Sequence, residues 1–201
     1  MLKSRESYAS IYQEFQWGLP PRFNIGTAVC DPWAAHSPDK IALYHYVPEG
    51  EPETLTYGDL AQKSNAFANA LSQRGVRRGD RVALLLPQCF ETAIAHIAIY
   101  KLGAIAVPLA LLFGVEALEY RLQTAGAKAV VTNEAGSTKV AAVRSRLPML
   151  ELVVSIDGSD AGAVGFEKLV ADAGSDFRAE DTSLDDPAMM IFTSGTTGPP
   201  K

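Results

Sequence analysis

Thr193, Ser194, Gly195, Thr196, Thr197, Gly198, Pro199, Pro200 and Lys201 concentrate more potential chemistry than any other stretch of the sequence. A polyphosphate spreads its charge over several oxygens and needs many donors at once. The four hydroxyls supply some. Gly195 and Gly198, lacking a Cβ, let backbone N–H groups approach an anion closely, and Lys201 adds a mobile positive charge. A Walker-type loop is a different design, because there the lysine directly follows the second glycine. Here Pro199 and Pro200 intervene and remove two N–H donors. On composition alone the run equally fits a flexible linker. The apolar segment Met189–Phe192 ahead of it and the closing lysine favour phosphate binding.

Other polar clusters carry weaker chemistry. His36, His45 and His96 are scattered, and His96 lies in an Ala/Ile-rich helical stretch suited to a core or interface histidine. Asp185-Asp186 before Pro187 resembles a carboxylate pair, but with no identifiable base or metal partner it reads as a solvated loop. Arg74, Arg77 and Arg78 beside Gly79-Asp80 read as a solvated turn. Cys30 and Cys89 form no CxxC and have no adjacent histidine pair, so both are expected to be buried thiols in a reducing compartment.

Composition sets the limits. The 201 residues, 47% hydrophobic and 20% charged, suffice for one substantial core, and the formal charge of −5 gives no sequence-wide attraction to nucleic acid or an anionic membrane. The most apolar run, Gly103 to Val115, contains Pro108 and is shorter than the roughly 20 residues a bilayer span needs. Residues 1–19 contain no continuous apolar stretch of the secretory kind. The default location is cytoplasmic.

These residues must be positioned by the elements around them. Residues 1–23 read as an arm and residues 24–201 as an α/β unit. A helix is expected over Ile25–Ala35, a strand over Ile41–Tyr46, and a hairpin through Pro48–Pro52 back to Thr54–Thr56. Thr56 and Asp59 have the spacing of a helix start, with Leu60, Ser64, Phe67, Ala68 and Leu71 on one face and Gly75 at the end. Apolar runs follow at Arg81–Leu86, Ala104–Val107, Lys128–Thr132, Leu152–Ile156 and Met189–Phe192. Helical patterns lie between them at Glu91–Leu102, Leu118–Ala125, Lys139–Leu147 and Phe166–Ala173. Short strands apolar on both faces and separated by helices predict a doubly wound α/β fold with a parallel sheet. Ligands bind such sheets beyond the carboxyl ends of strands, where Thr193–Lys201 is expected to lie.

The string Thr193–Lys201 (TSGTTGPPK) resembles the phosphate-loop signature of the adenylate-forming enzymes. The resemblance extends from about Asn24 onward, through Thr56-Tyr57-Gly58-Asp59-Leu60, Gly79-Asp80-Arg81-Val82 and Lys101–Pro108. Tyr120–Gln123 and Ala127–Thr132 look most similar to short- and medium-chain acyl-CoA synthetases. The resemblance implies a two-step ligase. A carboxylic acid attacks the α-phosphorus of ATP to give an acyl adenylate and pyrophosphate, and the thiol of CoA then displaces AMP. It also implies Mg²⁺, and a loop over the β- and γ-phosphates formed by Thr193 to Lys201. The family's adenine, ribose, acyl and catalytic-lysine motifs follow that loop, so a fragment without activity of its own is expected. Two alternatives stay open: an adenylation domain loading a carrier-protein thiol, and a noncatalytic nucleotide-binding or interaction module.

Overall fold

The structure is a computed structural model that describes residues 7–18, 20–46, 50–159 and 162–193. Its centre is a five-stranded parallel sheet made of β3 (Arg81–Leu85), β4 (Ile105–Pro108), β5 (Ala127–Thr132), β6 (Leu152–Ser155) and β7 (Val164–Gly165), in the order β4-β3-β5-β6-β7. Along β3 the side chains alternate between two apolar cores, Val82 and Leu84 on one face and Ala83 and Leu85 on the other. A strand buried on both faces cannot alternate apolar with polar residues, which is why it reads as a continuous apolar run. The two-residue β7 carried no such run and was not expected.

Helices cover both faces. The first core takes residues from α2 (Ile25–His36), α3 (Tyr57–Gln73), α4 (Phe90–Lys101) and α7 (Phe166–Asp172), with Phe67 and Phe166 in ring contact at 4.5 Å. Each such fully buried aromatic contributes roughly 1.5–3 kcal/mol. The second core lies under α5 (Val115–Ala125) and α6 (Glu134–Val143). The doubly wound expectation therefore holds. A helix α1 (Tyr8–Glu14) buries none of its residues. Strands β1 (Ile41–His45) and β2 (Glu53–Thr56) pair antiparallel in a separate two-stranded sheet, as a hairpin requires, while Pro48 and Glu49 of the expected turn lie outside the described residues.

Local signals explain the helix ends. Thr56 and Asp59 form the capping box that opens α3, and the expected face, Leu60, Ser64, Phe67, Ala68 and Leu71, is buried. Helix α6 begins at Glu134, five residues before the expected Lys139, because Asn133 accepts a hydrogen bond from Gly136 N (3.0 Å). Gly136 and Ser137 break the apolar pattern there, and the reason is steric. Thr132 at the end of β5 donates its hydroxyl to Leu85 O at the end of β3 (2.9 Å), and Gly136 packs directly on Thr132. A methyl group at Gly136 would overlap the Thr132 hydroxyl and lie 3.0 Å from Leu85 Cδ2.

At the other end of the sheet, α4 finishes on a buried cation. Lys101 Nζ lies 2.6 Å from Asp31 on α2 and donates to Asn65 Oδ1 on α3 (2.7 Å), so one ammonium joins three helices. A buried charge is tolerated only with such partners. Asn24 caps α2 by accepting from Thr27 N (3.1 Å), while its amide donates to Tyr100 O (2.8 Å) at the end of α4. His96 of α4 is half-buried against Tyr100 (Nδ1 to hydroxyl, 3.1 Å), and burial holds its imidazole below the ordinary range.

Two stability predictions follow from this packing. Gly136→Ala overpacks the β3–β5 junction at a cost of about 1–3 kcal/mol, so its melting temperature falls by roughly 3–10 °C in a thermal unfolding scan. For His96, the unfolded chain takes up a proton near pH 6.5 while the folded chain resists it. Its contribution is present above about pH 6.5 and is lost as pH falls toward the folded value. The loss in melting temperature between about pH 7.5 and 5.5 should be smaller in His96→Gln than in the unsubstituted chain.

Candidate phosphate-binding site

Residues 188–192 run beside β4 on the outer edge of the sheet, parallel to it. Ala106 N donates to Ala188 O (3.0 Å) and Met190 N to Ala106 O (2.9 Å), with a single bridge pairing Ala106 and Met189. The expected strand Met189–Phe192 is thus one bridge rather than a regular strand. The next rung of a parallel ladder would need an N–H from residue 108, and Pro108 has none. Side chains still alternate, with Met190 and Phe192 packed on the second core and Met189 and Ile191 exposed.

Thr193 follows immediately and is exposed at the carboxyl end of this edge, where an α/β sheet offers its crevice. Of the expected site residues only Thr193 is described. Ser194, Gly195, Thr196, Thr197, Gly198, Pro199, Pro200 and Lys201 lie outside the described residues.

The approach to this edge is strapped to the fold by contacts far apart in sequence. Glu180 N donates to Lys101 O (2.8 Å), and the Asn24 amide donates to Glu180 O (3.0 Å). Phe23 N donates to Thr182 O (2.9 Å), and the Thr182 hydroxyl returns a bond to Phe23 O (2.7 Å). Arg22 pairs with Asp181 at 2.8 Å. Asp186 is not simply solvated, since it pairs with Arg78 and accepts from Ser183 N (2.9 Å). Arg78 likewise leaves the solvated-turn reading, because it fastens the strap just before Pro187. A cavity of about 230 Å³ lined by Phe23, Tyr100, Gly103, Thr182, Leu184 and Pro187 lies at the amino end of β4, the opposite end from Thr193.

At the Thr193 end, two cations gather around the β4–α5 loop. Lys139 on α6 donates to Leu111 O (2.6 Å) and Phe113 O (3.2 Å). Arg121 on α5 is only 9% exposed, with its guanidinium 4.0 Å from the Phe113 ring centre and 5.9 Å from that of Phe192. Neither forms an ion pair with a carboxylate among the described residues. Sequence reasoning assigned neither to the site. A signal for Arg121 existed: it occupies an apolar-stripe position, three residues after Leu118 and four before Ala125, both buried.

The thiols are unsuited to nucleophilic work. Burial raises the Cys30 thiol above its ordinary value, and burial also raises Cys89, against the weaker opposing effect of Thr92 beside it. Among the described residues no group of three His, Cys, Asp or Glu side chains could hold a metal ion, and no helix is long and apolar enough to cross a membrane.

The family model described as AMP-binding enzyme matches residues 30–201, most of the chain and the whole of the sheet, edge and loop. The chain belongs to the AMP-binding enzyme family. Human mitochondrial acyl-coenzyme A synthetase ACSM3 is 32% identical over 203 residues, covering 97% of this chain and 34% of the relative. An uncharacterized acyl-CoA ligase of Bacillus subtilis, YtcI, is 33% identical over 164 residues, 81% of this chain and 30% of its own length. Among solved structures, a Brucella canis acyl-CoA synthetase superposes with a TM-score of 0.84 at 29% identity, covering 96% of this chain and 37% of that one. The anthranilate CoA ligase AuaEII in complex with anthranoyl-AMP gives 0.79 at 27% identity, with coverage of 90% and 34%. The chain spans about a third of the length of the relatives it matches.

If the strap sets the edge, loosening it should be felt at Met190. Asp186→Ala should raise hydrogen–deuterium exchange of the Met190 amide by several-fold while leaving core amides of β3 unchanged. Equal exchange at Met190 in both proteins would show that Arg78 and Asp186 do not hold this edge.

Proposed function

We propose that the chain is the phosphate-loop portion of an ATP-dependent carboxylate–CoA ligase acting on a short, medium-chain or aromatic acid. One observation carries the reading: Thr193, where the TSGTTGPPK string begins, stands at the carboxyl end of the sheet edge in a chain of the AMP-binding enzyme family. Relatives named as acyl-CoA synthetases, and a neighbouring structure bound to an acyl adenylate, support the thiol ligase chemistry.

The chemistry follows from the poor leaving ability of a carboxylate oxygen. Attack of the acid on the α-phosphorus of ATP forms a mixed anhydride and releases pyrophosphate, and the CoA thiol then takes the acyl group and releases AMP. Charge that accumulates on the departing pyrophosphate is what the loop answers. Thr193, Ser194, Thr196 and Thr197 would donate from hydroxyls, Gly195 and Gly198 would let backbone N–H groups come close, and Lys201 would supply charge. Mg²⁺ is implied by ATP chemistry, but no described residues converge to hold it. The two free thiols, Cys30 buried and Cys89 only half-buried rather than buried as expected, suit a reducing compartment, which we take to be the cytoplasm.

Acid-dependent exchange of pyrophosphate into ATP by the protein expressed from its whole gene tests the reading, and exchange only with a carboxylic acid present is the expected result. ATP binding without any such exchange would support the noncatalytic module instead. The 201 residues alone should show no exchange. Thr196→Ala and Lys201→Ala in the whole-gene protein should slow the adenylation half-reaction by about tenfold or more and thiol transfer much less. Equal losses in the two half-reactions, followed in single-turnover experiments, would remove the loop from that role.

A further inference from the structure

We propose that Arg121 is a positioning residue for the phosphate loop: its buried guanidinium fixes Phe192, and through it Thr193, and lends an uncompensated positive charge to the polyphosphate held there. The inference rests on the ATP-dependent reading given above, but not on its acid or its thiol.

The geometry is specific. Helix α5 begins at the carboxyl edge, and helical side chains lean toward the start of their helix, so Arg121 is carried back over Phe113 and toward Phe192. Its Nη1 donates to Ala117 O (2.8 Å), while its Nε, although buried, has no hydrogen-bond partner among the described residues. Arg22, Arg78, Arg146, Lys101 and Lys128 each meet a carboxylate. Arg121, the most buried arginine described, meets none among the described residues.

A charge taken out of water without a counter-ion is disfavoured unless its surroundings answer it. Stacking on Phe113 answers part of it. Among the described residues nothing answers the rest, and an anion arriving at the loop that follows Phe192 and Thr193 would supply the missing partner. Leu118, Leu122 and Ala125 on the same stripe show that the position would accept an apolar side chain if packing were its only task.

Two variants separate charge from packing. Arg121→Gln keeps a planar, hydrogen-bonding group and loses the charge. Arg121→Lys keeps the charge and loses the plane. In the whole-gene protein, equilibrium binding of ATP and of inorganic tripolyphosphate is measured for both, with thermal unfolding as the control for folding. The expected result is a loss of about tenfold for both probes in Arg121→Gln and a retention within about threefold in Arg121→Lys. Tripolyphosphate carries no adenosine and needs no acid, so this outcome stands even if acid-dependent exchange fails. Arg121→Gln binding within twofold of the unsubstituted protein, equal losses in both variants, or no binding of either probe by the unsubstituted protein would overturn the proposal.

Discussion

A polypeptide added to the edge of a parallel sheet must match its N–H and C=O groups to those of the strand it joins, and at this edge the match ends at Pro108. Two hydrogen bonds, both to Ala106, hold residues 188–190 against β4, and the third rung has no donor. The chain is therefore delivered to the carboxyl end of the sheet in register and then released from it. Release there leaves the N–H groups of Ile191, Phe192 and Thr193 without a sheet partner among the described residues, the condition a backbone-rich anion site needs.

So brief a pairing cannot define the edge alone, and the rest of the structure compensates from both sides. Upstream, the strap is tied to the end of α4 through Asn24 and Glu180, to the arm through Phe23 and Thr182, and to the start of β3 through Arg78 and Asp186. Downstream, Met190 and Phe192 are drawn into the second core, with Arg121 against the Phe192 ring. The pair between buried Lys101 and partly exposed Asp31 belongs to the same system, since it fixes α2 and α4, whose ends carry the strap. Stability of the first core and placement of Thr193 are thus linked through a few polar contacts.

Much of this was legible in the sequence because burial on two faces leaves a plain mark. The apolar runs of β3, β4, β5 and β6, the Thr56–Asp59 cap and the hairpin all follow from local composition. The loop string was legible as a family signature. What stayed hidden depends on tertiary contact. Arg22, Phe23 and Asn24 meet residues about 160 positions away, and no local pattern reports that pairing. The start of α6 was obscured because Gly136 answers to Thr132 rather than to helix propensity. Met189–Phe192 looked like a strand because apolar alternation does not reveal that the neighbouring strand ends in proline. Arg121 could have been noticed as an arginine in an apolar stripe, but its role needed Phe113 and Phe192 to be seen around it.

The central claim is that the edge beside β4 delivers the nucleotide-phosphate loop, while the apolar cavity at its other end does not. Hydrogen–deuterium exchange of the whole-gene protein with and without ATP tests it directly. The account predicts that ATP slows exchange in the peptide that begins at Met190 and runs through Thr193 into the loop, with little change in residues 180–187 around the cavity. Protection confined to the cavity segment, with none from Thr193 onward, would contradict it.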